Sequence, residues 1–188
     1  MELSLAEIAP YMRMGRNVPE GALAARVAEL RDEALANAIR PARIWWRTSL
    51  PFHPESRTLA RHLEGCRAAY LVCGTLGAGF DAMHRRVSAV SGADALILQA
   101  IGAAAIEKWM DSVEDEIRLE LLPGEMLRPR YSPGYGDFPL EVQREMVTVL
   151  DTARKIGVSL TDSLLMTPSK SVSAVIGVDP GAGTGTAL

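Results

Sequence analysis

The chain has 188 residues, 48% of them hydrophobic and 23% charged, with a formal net charge of −3. That balance suits one compact domain with a buried core and excludes a disordered chain. The mild negative charge gives no general attraction for phosphate backbones, so nucleic acid is not an expected partner.

The opening stretch, MELSLAEIAPYMRMGR, lacks the basic-then-apolar order of a secretory signal. The longest apolar run, residues 93–106, is interrupted by Asp94, Gln99 and Gly102 and is too short to span a bilayer. A soluble, cytoplasmic protein without a membrane partner is therefore expected. Cys66 and Cys73 form no close Cys-x-x-Cys or Cys/His group, so no metal site is predicted and both read as small buried hydrophobes.

Leu23, Val27, Leu30, Leu35 and Ile39 recur at helical spacing and predict an amphipathic helix over residues 19–39, ending before Pro41. Residues 42–50, ARIWWRTSL, are β-formers between prolines and predict a strand. A helix is expected over 55–64, followed by a strand over 67–75, RAAYLVCGT, apolar enough to be buried on both faces. After Gly74, Gly77 and Gly79 comes a helix to about residue 89, then a much longer one over 94–122. The first half of the long helix is small and apolar and predicts a buried end, whereas SVEDEIRLEL predicts a surface end. Residues 129–139 form a Pro/Gly-rich loop, residues 140–155 a helix stopped by Gly157, and residues 171–178 a last strand. The fold class is α+β: a single domain over 1–178, a twisted, mostly antiparallel sheet flanked by helices with a long central helix, and a flexible tail over 179–188.

Residues 128–137, RPRYSPGYGD, combine two arginines and two tyrosines with turn-forming prolines and glycines. Arg130 suits a carboxylate, Gly134 permits close approach of a ligand to the main chain, and Tyr135 offers a face for a flat ring. Loops of this composition are also common as plain connectors. The cluster GTLGAGFD, residues 74–81, lacks the dinucleotide spacing and a following Gly-Lys-Ser/Thr, so it reads as a tight turn. His53, His62 and His84 are scattered and read as ordinary surface or core histidines.

Arg130, Ser132, Pro133, Gly134 and Tyr135 resemble the Arg-x-x-x-Gly-Tyr loop of the reactivation domain of cobalamin-dependent methionine synthase, the loop through which that domain holds S-adenosylmethionine. The segment LTDSLLMTPSKSVSAVIG, residues 160–177, resembles the Thr-x-x-x-x-Met-x-Pro-x-x-x-Val-Ser segment that follows it, in the same order and at the expected distance. Glu107, Trp109, Asp111 and Arg118 resemble a Glu-x-aromatic-x-acid pattern and later Arg in the family's helix, whose leading Glu contacts the ligand. The N-terminal half matches only loosely, in length and element order. Two departures stand out: the family's aromatic residue near Ile176 is absent, and Lys170 replaces a small residue. The match is closer to short, stand-alone relatives than to the domain fused within the synthase.

The resemblance implies an S-adenosylmethionine site formed by Glu107, Arg130, Ser132, Gly134 and Tyr135, with no catalytic acid or base. It implies reductive methylation of cob(II)alamin carried by a partner, a methionine synthase core or related corrinoid protein, with an electron donor such as flavodoxin or ferredoxin. The departures leave a second reading open: a non-catalytic module that docks on a corrinoid protein without using S-adenosylmethionine.

Overall fold

The computed structural model describes residues 1–14 and 17–181. The chain runs α1 (Leu5–Ile8), a 3-10 turn (Ala9–Met12), α2 (Gly21–Glu33), β1 (Ala42–Ser49), α3 (Arg57–His62), β2 (Ala68–Thr75), α4 (Ala78–Ser88) and α5 (Gly92–Arg118). It continues through β3 (Met126–Leu127), α6 (Val142–Leu150), α7 (Thr152–Ile156), β4 (Ser159–Leu160), β5 (Met166–Thr167) and β6 (Ser171–Asp179). The main sheet has four strands in the order β1-β2-β6-β3, all antiparallel neighbours, and β4 and β5 form a small hairpin. The α+β class, the antiparallel sheet and the long helix expected from the sequence are all present.

Strand β2 explains the architecture, because its side chains alternate between two cores. Tyr70 and Val72, with Ala174, Ile176 and Val178 of β6, join the core that contains the buried stripe of α5. Ala69, Leu71 and Cys73, with Val175, join a second core with Leu59 of α3 and Val142, Met146 and Leu150 of α6. Burial pushes the Cys73 thiol up to about 12, as befits a small core hydrophobe. Cys66, by contrast, is only half-buried, because it lies in the turn entering β2.

The 27-residue helix α5 starts at Ser91, whose hydroxyl accepts from the Asp94 amide, and ends at Arg118, ahead of Pro123. It was expected to have one buried and one exposed end. Its small, apolar first half is indeed the more buried, and a narrower stripe of Met110, Val113 and Ile117 carries on through the charged half. The charged C-terminal half still carries apolar residues at helical spacing, and that stripe seats it on the sheet. Gly102 lies where α5 meets α4, and a Cβ there would overlap the Phe80 ring and come 2.8 Å from Cε of Lys170.

Other differences have local causes. The helix expected over 19–39 stays helical only to Glu33 and closes with a wider π turn at Ala34–Ala38, where the Ile39 amide donates to the Ala34 carbonyl. The helix expected over 140–155 is two, because Asp151 takes a left-handed conformation at φ 53°. Strand β6 extends to Asp179, which pairs with Met126 and with Arg128; most of the tail expected over 179–188, residues 182–188, lies outside the described residues. The short elements α1, β3, β4 and β5 gave no periodic signal because each has only two to four residues. Among the described residues, no helix is long and apolar enough to cross a membrane.

The loop before α3 is clamped by His53, whose Nδ1 lies 2.6 Å from Glu55 and Nε2 2.9 Å from Glu145 of α6. Burial opposes protonation of His53, but hydrogen bonds to the two carboxylates outweigh it and raise its pKa above 6.5. The clamp therefore contributes fully below about pH 6.5 and is lost as pH rises through the higher folded value. His53→Gln should flatten the dependence of stability on pH in that window, as read by urea unfolding at a series of pH values. Gly102→Ala should destabilise the fold by about 1–3 kcal/mol through overpacking against Phe80, as read by the same method.

Candidate functional site

Glu107, Asp111 and Glu114 project from one face of α5, at positions i, i+4 and i+7. Facing them is the segment after β3, held against the sheet at two points. The Arg128 amide donates to the Gly177 carbonyl at 2.8 Å, and Tyr131 and Val175 exchange two backbone hydrogen bonds of 2.9 Å. These anchors fix the backbone on either side of Arg130. Its guanidinium reaches Glu114 at 2.7 Å, Glu107 at 2.9 Å and Asp111 at 3.0 Å.

The three contacts are not equivalent. The Arg130 side chain is 18% exposed and that of Glu114 13%, while Glu107 is 46% and Asp111 69% exposed. Glu114 is also held from the other side by Arg118 at 3.1 Å. Arg130 and Glu114 thus form the shielded centre of the network, where water screens least; Glu107 and Asp111 are its solvated rim.

Beyond Arg130 the chain turns sharply. The Gly134 amide donates to the Phe138 carbonyl at 2.8 Å and the Phe138 amide to Tyr135 at 2.9 Å, with Gly134 at φ 93° and Gly136 at φ 56°. A side chain at Gly136 would also come within 2.6 Å of the Thr58 hydroxyl. The turn is pinned by Asp137, whose carboxylate accepts from the Ser56 hydroxyl at 2.7 Å and from the Thr58 hydroxyl at 2.5 Å. It also accepts from the amides of Arg57 at 3.0 Å and Thr58 at 2.9 Å, and so occupies the N-terminus of α3. Bonds from the Thr58 hydroxyl and amide, then Ser56 and Arg57, hold its pKa far below the ordinary carboxylate range. The charged cap is therefore present above the ordinary carboxylate pKa and is lost only as pH falls through the depressed folded value. His62 of α3 adds a further support, stacking on Tyr131 with ring centroids 4.8 Å apart and contacting the Pro129 carbonyl at 2.8 Å.

Between α5 and this loop lies a cavity of about 540 Å³ whose lining includes Glu107, Glu114, Arg130, Ser132, Tyr135 and Val172. Its size is within the roughly 300–1,000 Å³ of small-molecule sites. Of the five residues singled out in the sequence, Glu107, Arg130, Ser132 and Tyr135 line it. Gly134 does not, and its positive φ shapes the turn. Tyr135 stands 63% exposed at the rim. Glu114, Asp137 and His62 were not singled out. Glu114 was visible in principle from its seven-residue spacing to Glu107, but nothing local links Asp137 to Ser56 or His62 to Pro129.

The glycine cluster serves close packing. Gly77, at φ 86°, precedes α4, and a Cβ there would meet the Arg40 carbonyl at 2.8 Å; one at Gly79 would collide with that of Ala38.

Residues 103–183 match the family of the vitamin B12 dependent methionine synthase activation domain. The matched region runs from the middle of α5 through the loop to the end of β6, so it includes every residue that contacts Arg130. In structure, the chain resembles the MetH reactivation domain solved with bound AdoHcy, with a TM-score of 0.61 at 15% identity, over 98% of this chain and 76% of that one. No curated protein matches in sequence. The chain therefore has the activation-domain fold and, in its C-terminal part, the activation-domain sequence pattern. At this identity the structural likeness speaks for the fold, including the N-terminal half that the family pattern does not reach.

Asp137→Asn should weaken the cap and loosen the 128–138 loop together with α3. Hydrogen exchange would show this as faster exchange at both Thr58 and Gly134. Acceleration at Thr58 alone would mean that the loop holds itself.

Proposed function

We propose that this chain binds S-adenosylmethionine in the cleft between α5 and the 128–138 loop. There it supports reductive methylation of cob(II)alamin carried by a methionine synthase core or related corrinoid protein, with an electron donor such as flavodoxin or ferredoxin. The observation that carries this reading is the Arg130–Glu107 pair facing a cavity of suitable size, on the very segment that bears the family pattern. The bound AdoHcy of the related structure belongs to the same chemical class and supports the reading.

The residues fit such a ligand. Its amino-acid end brings one carboxylate and one ammonium group. Glu107, on the exposed rim of the network, is placed to pass from Arg130 to the ammonium, while Arg130 turns part of its fork to the carboxylate. The amino-acid end brings no net charge to that exchange, the sulfonium adds one positive charge beside the carboxylates, and Glu114 keeps Arg130 oriented throughout. The exposed Tyr135 ring offers a stacking face for the adenine, and Ser132 adds a hydroxyl to the wall.

When bound, S-adenosylmethionine supplies an electrophilic methyl group for the partner's reduced cobalt. The task of this chain's residues is to hold the methyl donor in one orientation and limit its access to water, a contribution of proximity rather than of acid–base chemistry. No side chain of the network is required to move a proton.

The second reading, a docking module that does not use S-adenosylmethionine, is favoured by one observation: Arg130 is already engaged by three carboxylates. Calorimetric titration with S-adenosylmethionine separates the two. Stoichiometric binding is expected, weakened at least about tenfold, or roughly 1.4 kcal/mol, by Arg130→Ala. Tyr135→Phe should bind nearly as well as the native chain, and Tyr135→Ala clearly less well. An absence of binding, both alone and with a corrinoid partner, would leave the docking module as the better account.

A further inference from the structure

A second cavity of about 540 Å³ adjoins α5 on the side of the N-terminal turn, lined by residues that include Tyr11, Arg13, Gln99, Ala103 and Lys170. We propose that it is a binding site for an oxyanion, the carboxylate or phosphate group of a small molecule, with Lys170 as its principal ligand.

Lys170 is brought there by specific packing. Its backbone carbonyl accepts from the Leu76 amide at 2.9 Å, which ties the start of β6 to the end of β2. Its side chain then crosses α5 at Gly102, where any Cβ would come within 2.8 Å of its Cε. A glycine inside a helix costs roughly 1 kcal/mol relative to alanine. Here it opens the passage that carries the ammonium group to the cavity.

On arrival that ammonium forms no hydrogen bond or ion pair among the described residues. Asp81, the acid whose charge acts on it, is engaged elsewhere, accepting from the Ser169 amide at 2.9 Å and its hydroxyl at 2.5 Å. Burial draws the Lys170 pKa below the usual lysine range, and the field of Asp81 offsets this only in part. A half-buried cation without a partner gains from an anion delivered to it. The Arg13 side chain, also without a hydrogen bond or ion pair among the described residues, adds a second positive charge to the wall.

The site is close to the activation-domain cleft. Ala103 of this cavity and Glu107 of the cleft are one helical turn apart. The Tyr11 pKa is raised by burial and by the charges of Glu107 and Asp111, so the ring lies within their field. The oxyanion thus has two sources: the carboxylate of S-adenosylmethionine, which would then reach past Glu107 to Lys170 in place of the Arg130 contact described above, or an anionic group on a separate molecule.

Two measurements distinguish them. In the first, inorganic phosphate and acetate are titrated at constant ionic strength while the amide resonances of Gly102, Ala103 and Ser171 are followed by NMR. Saturable shifts that disappear in Lys170→Met and persist in Lys170→Arg are expected for a separate anion. In the second, S-adenosylmethionine affinity is compared between the native chain and Lys170→Met. A loss of at least about tenfold there, without binding of free anions, assigns the site to the ligand's own carboxylate. Lys170→Met keeps an unbranched apolar stem across Gly102, and its circular dichroism and melting should match those of the native chain. Free anions that bind Lys170→Met as well as the native chain, or an absence of any effect in both measurements, would overturn the proposal. The second measurement alone rests on the function proposed above. A chain that fails to bind S-adenosylmethionine would still be tested by the first.

Discussion

The seating of α5 on the sheet is the contact on which everything else depends. One stripe of this helix, from Ala95 to Ile117, is buried against β2, β6 and the N-terminal helices, while the flank beside it supplies Glu107, Asp111 and Glu114. A long helix packed along its length is a rigid mount, because no part of it can shift without opening the core. The carboxylates therefore inherit their positions from the apolar packing of the neighbouring stripe. The core cluster and the cleft are two faces of one element.

Against this fixed wall, the 128–138 loop has no regular secondary structure of its own beyond the bridge at Tyr131. Its order comes from polar contacts with three different elements: β6 through Tyr131, α3 through Asp137 and His62, and α5 through Arg130. The half-buried Arg130–Glu114 pair is costly to desolvate, and such a pair is worth more as a device for fixing geometry than as a source of stability. Arg118 on the far side of Glu114 prevents that carboxylate from following Arg130 if a ligand draws the guanidinium outward. Glu107 and Asp111, more exposed, are the partners that can be exchanged at low cost.

Much of this was legible in the sequence, and unevenly so. The strands over 42–49 and 68–75 and the long helix declared themselves through β-former runs and apolar periodicity, which are local signals. Arg130 and Tyr135 stood out because a loop rich in proline, glycine, arginine and tyrosine is unusual, Ser132 only through the family resemblance, and the cleft is lined by all three. The amphipathic character of SVEDEIRLEL was legible too, since Val113 and Ile117 recur at helical spacing among its charges. The left-handed break at Asp151 left no signal, since nothing in the local pattern forbids a continuous helix there. Asp137, His62 and Lys170 act across 67 to 95 residues of sequence, and no spacing rule reaches so far.

The cap that Asp137 provides to α3 has a further meaning for how this protein is divided. The segment that carries the family pattern begins within α5, yet the loop at its centre is tied down by Ser56, Thr58 and His62, which lie well before it. Recognition at the level of sequence and integrity at the level of structure thus have different boundaries. A fragment cut to the recognisable half would retain the arginine, the serine and the tyrosine but lose the scaffold that holds them in register. The N-terminal half, which bears no motif of its own, is the splint on which the motif is set.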